Sequence, residues 1–206
     1  MGIGWINILL IGTAGVLSIT RWRRYRLFPI YALLVAVMAS IGQLPELYTA
    51  DFYMLRFALG GGLCLLAAGE AYRNVTGKTP WIAGLALITM IAAPLFIGLP
   101  DSYWLQREGL VIALLLLFRG EDPVLYGFGL YGGLIIASDI VKAICPGLTW
   151  TLLQSIDPLA FTAMSITWLW FLWEPERVLW IEPIFRVTQR DAGMARAKVK
   201  DIDNLQ

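Results

Sequence analysis

Histidine is absent from the 206-residue chain, cysteine occurs twice, and charged side chains make up only 15% of it. Each scarcity removes a class of function. Without histidine there is no Ser-His or Cys-His catalytic pair, and the commonest metal ligand is missing, so neither a metal nor another cofactor is expected. Two cysteines make no disulfide framework. Cys64 lies inside an apolar run and Cys145 near a helix end, and both read as free, packed thiols. A net charge of +1 provides no concentrated basic face, which excludes nucleic acid as a partner.

What fills the chain is apolar. Hydrophobic residues make up 58% of it and the mean hydropathy is +0.68, whereas a soluble domain carries about a quarter charged residues. The expected solvent is a lipid bilayer. Apolar windows of about 20 residues mark candidate membrane spans, and here they fall near 3–20, 27–44, 54–72, 81–99, 103–118, 124–143 and 157–173. The fifth has an uninterrupted run only from Gly109 to Phe118, behind Gln106, Arg107 and Glu108, and reads either as a short tilted span or as a re-entrant segment. The fold class is thus an all-α polytopic bundle of about seven transmembrane helices over residues 1–173, with an interfacial and polar tail over 174–206.

Basic residues set the orientation. With the amino terminus outside, every Lys and Arg except Arg56, Arg107 and Lys142 falls on the cytoplasmic side, while Glu46, Asp51, Asp101 and Asp157 lie outside. That bias is the positive-inside pattern and puts the carboxy terminus in the cytoplasm. The first apolar stretch is followed, not preceded, by Arg21, Arg23, Arg24 and Arg26, so it reads as a retained helix rather than a cleaved signal. Localisation in a bacterial or archaeal plasma (inner) membrane is expected. Trp81, Tyr103, Trp104, Trp150, Trp168, Trp170 and Trp173 are placed as headgroup-level anchors. Gly60-Gly61-Gly62, and Gly129 with Gly133, suit close helix packing. Pro94 predicts a kink late in the fourth helix. Asn74-Val75-Thr76 fits a glycosylation sequon, but on the cytoplasmic side it reads as chance.

Ionisable residues at the ends of apolar helices are the candidates for chemistry. Arg119-Gly120-Glu121-Asp122-Pro123 places two adjacent carboxylates between two apolar segments. Facing carboxyls can share the activation of a water. Neighbours on a helix point about 100° apart, however, so a partner for Asp122 must come from elsewhere. The alternative is a helix start, with acids at the positive dipole end and proline in the first turn. Glu70 is expected at the end of the third helix, within pairing distance of Arg73, and Asp139 is expected to pair with Lys142 on one helical face. The cluster Arg21-Trp22-Arg23-Arg24-Tyr25-Arg26 reads as a topology determinant touching anionic lipid.

The arrangement resembles type IV prepilin peptidases and archaeal preflagellin peptidases, membrane aspartyl proteases with one Asp in an Asp-x-Arg-x-Arg-x-Ile-Pro-Asn loop and a second in Gly-x-Gly-Asp. Arg24, Arg26 and Pro29 stand at the spacing of the first pattern, with Phe28 for its aliphatic residue and Trp22 where its catalytic Asp belongs. The second pattern would be Arg119-Gly120-Glu121-Asp122, followed by Leu125, Gly127, Gly129, Leu130 and Gly133, and the final span opens on Asp157-Pro158-Leu159-Ala160-Phe161 like the family's last helix. The resemblance implies Asp122 as a catalytic acid and, with Trp22 in the other position, leaves the dyad one Asp short unless Glu70 supplies the second carboxyl. Three functions follow as expectations. The first is a degenerate prepilin-peptidase-like protein, the second a non-enzymatic membrane subunit or scaffold binding other membrane proteins, and the third a small transporter or channel using Asp139 and Glu70.

Overall fold

The computed structural model describes residues 2–20, 25–44, 49–145 and 156–173, and these residues form seven helices and no strand. They are α1 (Gly2–Ile19), α2 (Leu27–Ile41), α3 (Ala50–Thr76), α4 (Trp81–Ile97), α5 (Leu99–Leu117), α6 (Pro123–Ile144) and α7 (Ile156–Trp173). Residues Arg21, Trp22, Arg23 and Arg24, together with Glu46, Trp150 and the tail from Glu174, lie outside the described residues.

Local chemistry accounts for the boundaries. Thr49 opens α3 by accepting a hydrogen bond from the Phe52 amide at 3.2 Å, and Gly77, at a left-handed φ of 67°, closes it. α3 is therefore longer than its apolar window and carries Glu70 well inside the helix rather than at its end. Pro100, Pro123 and Pro158 each stand in the first turn of a helix, where the missing N–H would have no partner in any case. Residues 99–117 form one continuous helix, with the polar stretch Gln106 to Glu108 in its middle.

That polar stretch answers a defect in α4. Pro94 lies inside α4 and has no N–H to donate to the carbonyl of Met90 one turn earlier. Gln106, only 2% exposed, donates its Nε2 to the Met90 oxygen at 2.7 Å instead. Gln106→Leu should therefore lower stability by about 1–2 kcal/mol, whereas in a Pro94→Ala background, with the intrahelical bond restored, the same change should cost much less. Unfolding of the four members of this double-mutant cycle measures the coupling; additive effects would contradict the pairing.

The helices close into a ring. α1 packs on α2, α2 on α3, α3 on α5 and α6, α5 on α6, α6 on α7, and α7 back on α1, while α4 covers α3 and α5 from outside. Inside, an aromatic cluster joins three helices. Trp168 of α7 meets Phe28 at 4.8 Å and Phe128 at 4.9 Å, edge to face, with Tyr31 at 6.1 Å. Its indole donates to the Val124 oxygen at 3.3 Å. Trp168 is completely buried, so its expected place as a headgroup anchor is corrected. Met164, Trp168 and Leu172 recur every fourth residue and form the inward stripe of α7, while Trp170 and Trp173 face outward.

Of the glycines marked for close packing, Gly61 is crowded by Met90, and Gly129 by the Phe118 ring; Gly133 has only ordinary contacts. Cys64 is buried, but Cys145 is exposed, against the expectation that both are packed. Among the described residues two helical stretches, Met54–Thr76 of α3 and Pro123–Ile144, are long and apolar enough to cross a membrane. Every described helix exposes large apolar side chains, for example at Leu9, Val37, Leu59, Ile112, Ile140 and Ile166. The extremes are on α4, where Leu95 is 80% and Phe96 86% exposed.

Candidate functional site

The two candidate acids stand at the same end of the bundle. Asp122 is the N-cap of α6. The turn Arg119 to Asp122 closes with the Asp122 amide donating to the Arg119 oxygen at 3.3 Å, and Pro123 then takes the first helical position. From there Oδ1 accepts from the Val124 amide at 2.9 Å and the Leu125 amide at 3.2 Å, satisfying two of the donors that every helix start leaves open. Oδ2 accepts from the Tyr25 hydroxyl at 2.8 Å. The residue is 0% exposed, and Tyr25 1%. Glu121 is exposed. The helix-start alternative thus describes the local geometry of this stretch.

Arg119, the first residue of the stretch, turns towards α3. Its guanidinium lies over the Tyr72 ring, 5.1 Å from the centroid, and donates to the Tyr72 hydroxyl at 3.3 Å.

Glu70 does not pair with Arg73, which corrects that expectation. Its Oε2 accepts from the Arg26 amide at 2.9 Å and the Leu27 amide at 2.7 Å. α2 has no side-chain cap of its own at Arg26. A carboxylate from the neighbouring helix caps it, with its negative charge at the positive end of the α2 dipole. Asp122 and Glu70 therefore hold consecutive residues of one connection, Asp122 through the Tyr25 side chain and Glu70 through the backbone of Arg26 and Leu27. Sequence reasoning proposed both acids and missed Tyr25, which stands between Arg24 and Arg26 in the basic cluster and gives no local signal of its contact with Asp122.

This arrangement anchors helix ends. A carboxylate that accepts from two amides and a phenol has three of its roughly four acceptor positions directed at protein donors. The phenol is also no substitute for a second carboxyl, because it holds its proton across the pH range in which an acid dyad works.

A second charged group lies at the opposite end. Arg107, 6% exposed, donates Nη1 to Asp139 Oδ2 at 2.6 Å and to Glu108, and stands 3.9 Å from Asp157. Lys142 also reaches Asp139 Oδ1, at 3.2 Å, as its i+3 spacing predicted. The closer partner is Arg107, which joins α5 to α6; sequence spacing could not find it, because the two residues lie 32 positions apart. Among the described residues no group of three His, Cys, Asp or Glu side chains is placed to hold a metal ion. Comparison of the chain with protein-family models, with curated proteins and with solved structures gave no match.

Proposed function

We propose that this chain is a polytopic membrane protein, its seven helices crossing the bilayer with the amino terminus outside, and that it serves as a non-enzymatic membrane subunit. On this reading it is a degenerate relative of the prepilin-type peptidases. Embedding in lipid is supported by the large apolar side chains that face outward on every helix; in water so continuous a surface would drive aggregation. Two helices also pass the length and hydropathy requirement for a span. The orientation follows the basic-residue bias, with Arg26, Arg73, Lys78 and Arg119 at one end of the bundle.

The non-enzymatic part rests on one observation. Asp122, the acid that the resemblance makes catalytic, is wholly buried and engaged by two backbone amides and Tyr25. The test is incubation of the purified protein, in lipid nanodiscs, with a prepilin-type leader peptide, and the expected result is intact peptide. Cleavage that disappears in Asp122→Asn would overturn the reading. Native mass spectrometry from mild detergent should show a bound membrane-protein partner; a lone chain would count against the subunit role.

A second reading, an aspartyl peptidase using Asp122 and Glu70, is favoured by the convergence of both acids on Tyr25 to Leu27. It requires the connection to move so that a substrate and a water can reach between the carboxyls. Cleavage of the leader peptide lost in both Asp122→Asn and Glu70→Gln would establish it.

A further inference from the structure

The interior of the helix ring contains a cavity of about 210 Å³ that the capping acids do not touch. Five helices contribute to it: α2, α3, α5, α6 and α7. Its walls are apolar and polarisable, made chiefly by Tyr31, Phe57, Phe128, Phe161 and Met164. At the end nearest the start of α3, Arg56 lines it, the one charged side chain among the described residues that do so.

Arg56 is half-buried, and it forms no hydrogen bond or ion pair with any described residue. Its guanidinium lies against Gly42, the C-cap of α2, where the negative end of the helix dipole offsets part of its charge. Among the described residues nothing accepts from its five N–H donors, which form a fixed fork. An unpaired cation beside a low-dielectric space is costly, and the cost falls when an anion enters. A guanidinium fork matches a carboxylate or a phosphate in both geometry and charge. Apart from the Tyr31 and Tyr131 hydroxyls and the Cys64 thiol, however, the walls are hydrocarbon and thioether surface, which gains contacts from an acyl chain rather than from a small hydrated anion.

We propose that this cavity binds an anionic amphiphile, with its carboxylate or phosphate on Arg56 and its acyl chain among the aromatic and methionine side chains. The site is independent of the acids at the other end of the bundle. It stands whether or not those acids ever act catalytically.

The test uses the full chain in nanodiscs of phosphatidylcholine, with radiolabelled decanoate as the probe and empty discs as the background. Saturable retention of one decanoate per chain is expected, displaced by decyl phosphate but not by decanol or inorganic phosphate. Arg56→Met should weaken binding by about tenfold, the size of one charge-assisted contact, and Arg56→Lys should recover part of it. A second variant acts on the chain end of the site. Gly60 lines the cavity, and a Cβ there would meet only Val35, at an ordinary 3.8 Å, so Gly60→Trp grows into the space without a backbone clash and should abolish binding with Arg56 intact. Phosphatidic acid in the disc that competes with decanoate assigns the site to a bilayer lipid; competition by decyl phosphate alone assigns it to a free amphiphile. Retention no greater than in empty discs, or unchanged by both Arg56→Met and Gly60→Trp, would overturn the proposal.

Discussion

Trp168→Ala should destabilise the bundle by about 3–5 kcal/mol, the range for truncating a large buried aromatic. The indole touches α2 through Phe28 and Tyr31 and α6 through Phe128, so one truncation opens a void shared by three helices. It also leaves the Val124 carbonyl without the donor that reaches it at 3.3 Å. In lipid the loss is mainly van der Waals contact, because helix association there does not rest on excluding water. Trp168→Phe keeps most of the ring contacts and should recover more than half of the loss. Equilibrium unfolding in mixed detergent micelles measures both variants. The same crowding makes Gly127→Ala unfavourable, since its new Cβ would overlap the Trp168 ring.

Arg107→Met should cost about 2–4 kcal/mol, because removing one partner of a buried ion pair leaves the other uncompensated. The Arg107 side chain is 7% exposed and Asp139 27%, so the pair is shielded but not sealed. Lys142 stays within 3.2 Å of Asp139 and limits the damage. The double variant Arg107→Met with Asp139→Asn removes the stranded carboxylate and should be more stable than Arg107→Met alone. Thermal unfolding of wild type, the two single variants and the double one gives the coupling; additive losses would mean that the pair carries no energy.

Much of this architecture is legible in the sequence, for physical reasons that also mark where legibility stops. The seven apolar windows foretell seven helices, and the described helices match them closely except α3, which Thr49 and Gly77 extend at both ends, and α5, which starts four residues earlier, at Leu99. Hydropathy over a window is a local property, and so are caps built from neighbouring residues. Asp122-Pro123 could therefore be read as a helix start without any knowledge of the fold. What could not be read is long-range polar pairing. Glu70 caps a helix 43 and 44 positions away, and Tyr25 reaches Asp122 across 97. Local spacing pointed Glu70 to Arg73 and Asp139 to Lys142, and only the second contact forms. Trp168 was misplaced because an aromatic near a helix end suits the membrane interface as well as it suits the core. The inward stripe with Met164 and Leu172 decides between them. Gln106 and Arg107 made α5 look like a poor span. Both are polar because they answer needs elsewhere: the Met90 carbonyl that Pro94 leaves open, and the Asp139 carboxylate.

On the proposed reading Asp122 serves the fold, as the cap of α6 and the acceptor for Tyr25. The most direct test compares the thermal unfolding of wild type, Asp122→Asn and Asp122→Ala in the same nanodiscs. Asparagine caps a helix about as well as aspartate through its Oδ1, and its Nδ2 can donate to the Tyr25 hydroxyl where Oδ2 now accepts, so Asp122→Asn should unfold close to wild type. Asp122→Ala should lose about 2 kcal/mol, from the cap and from the stranded hydroxyl. An Asp122→Ala protein as stable as wild type would contradict the reading.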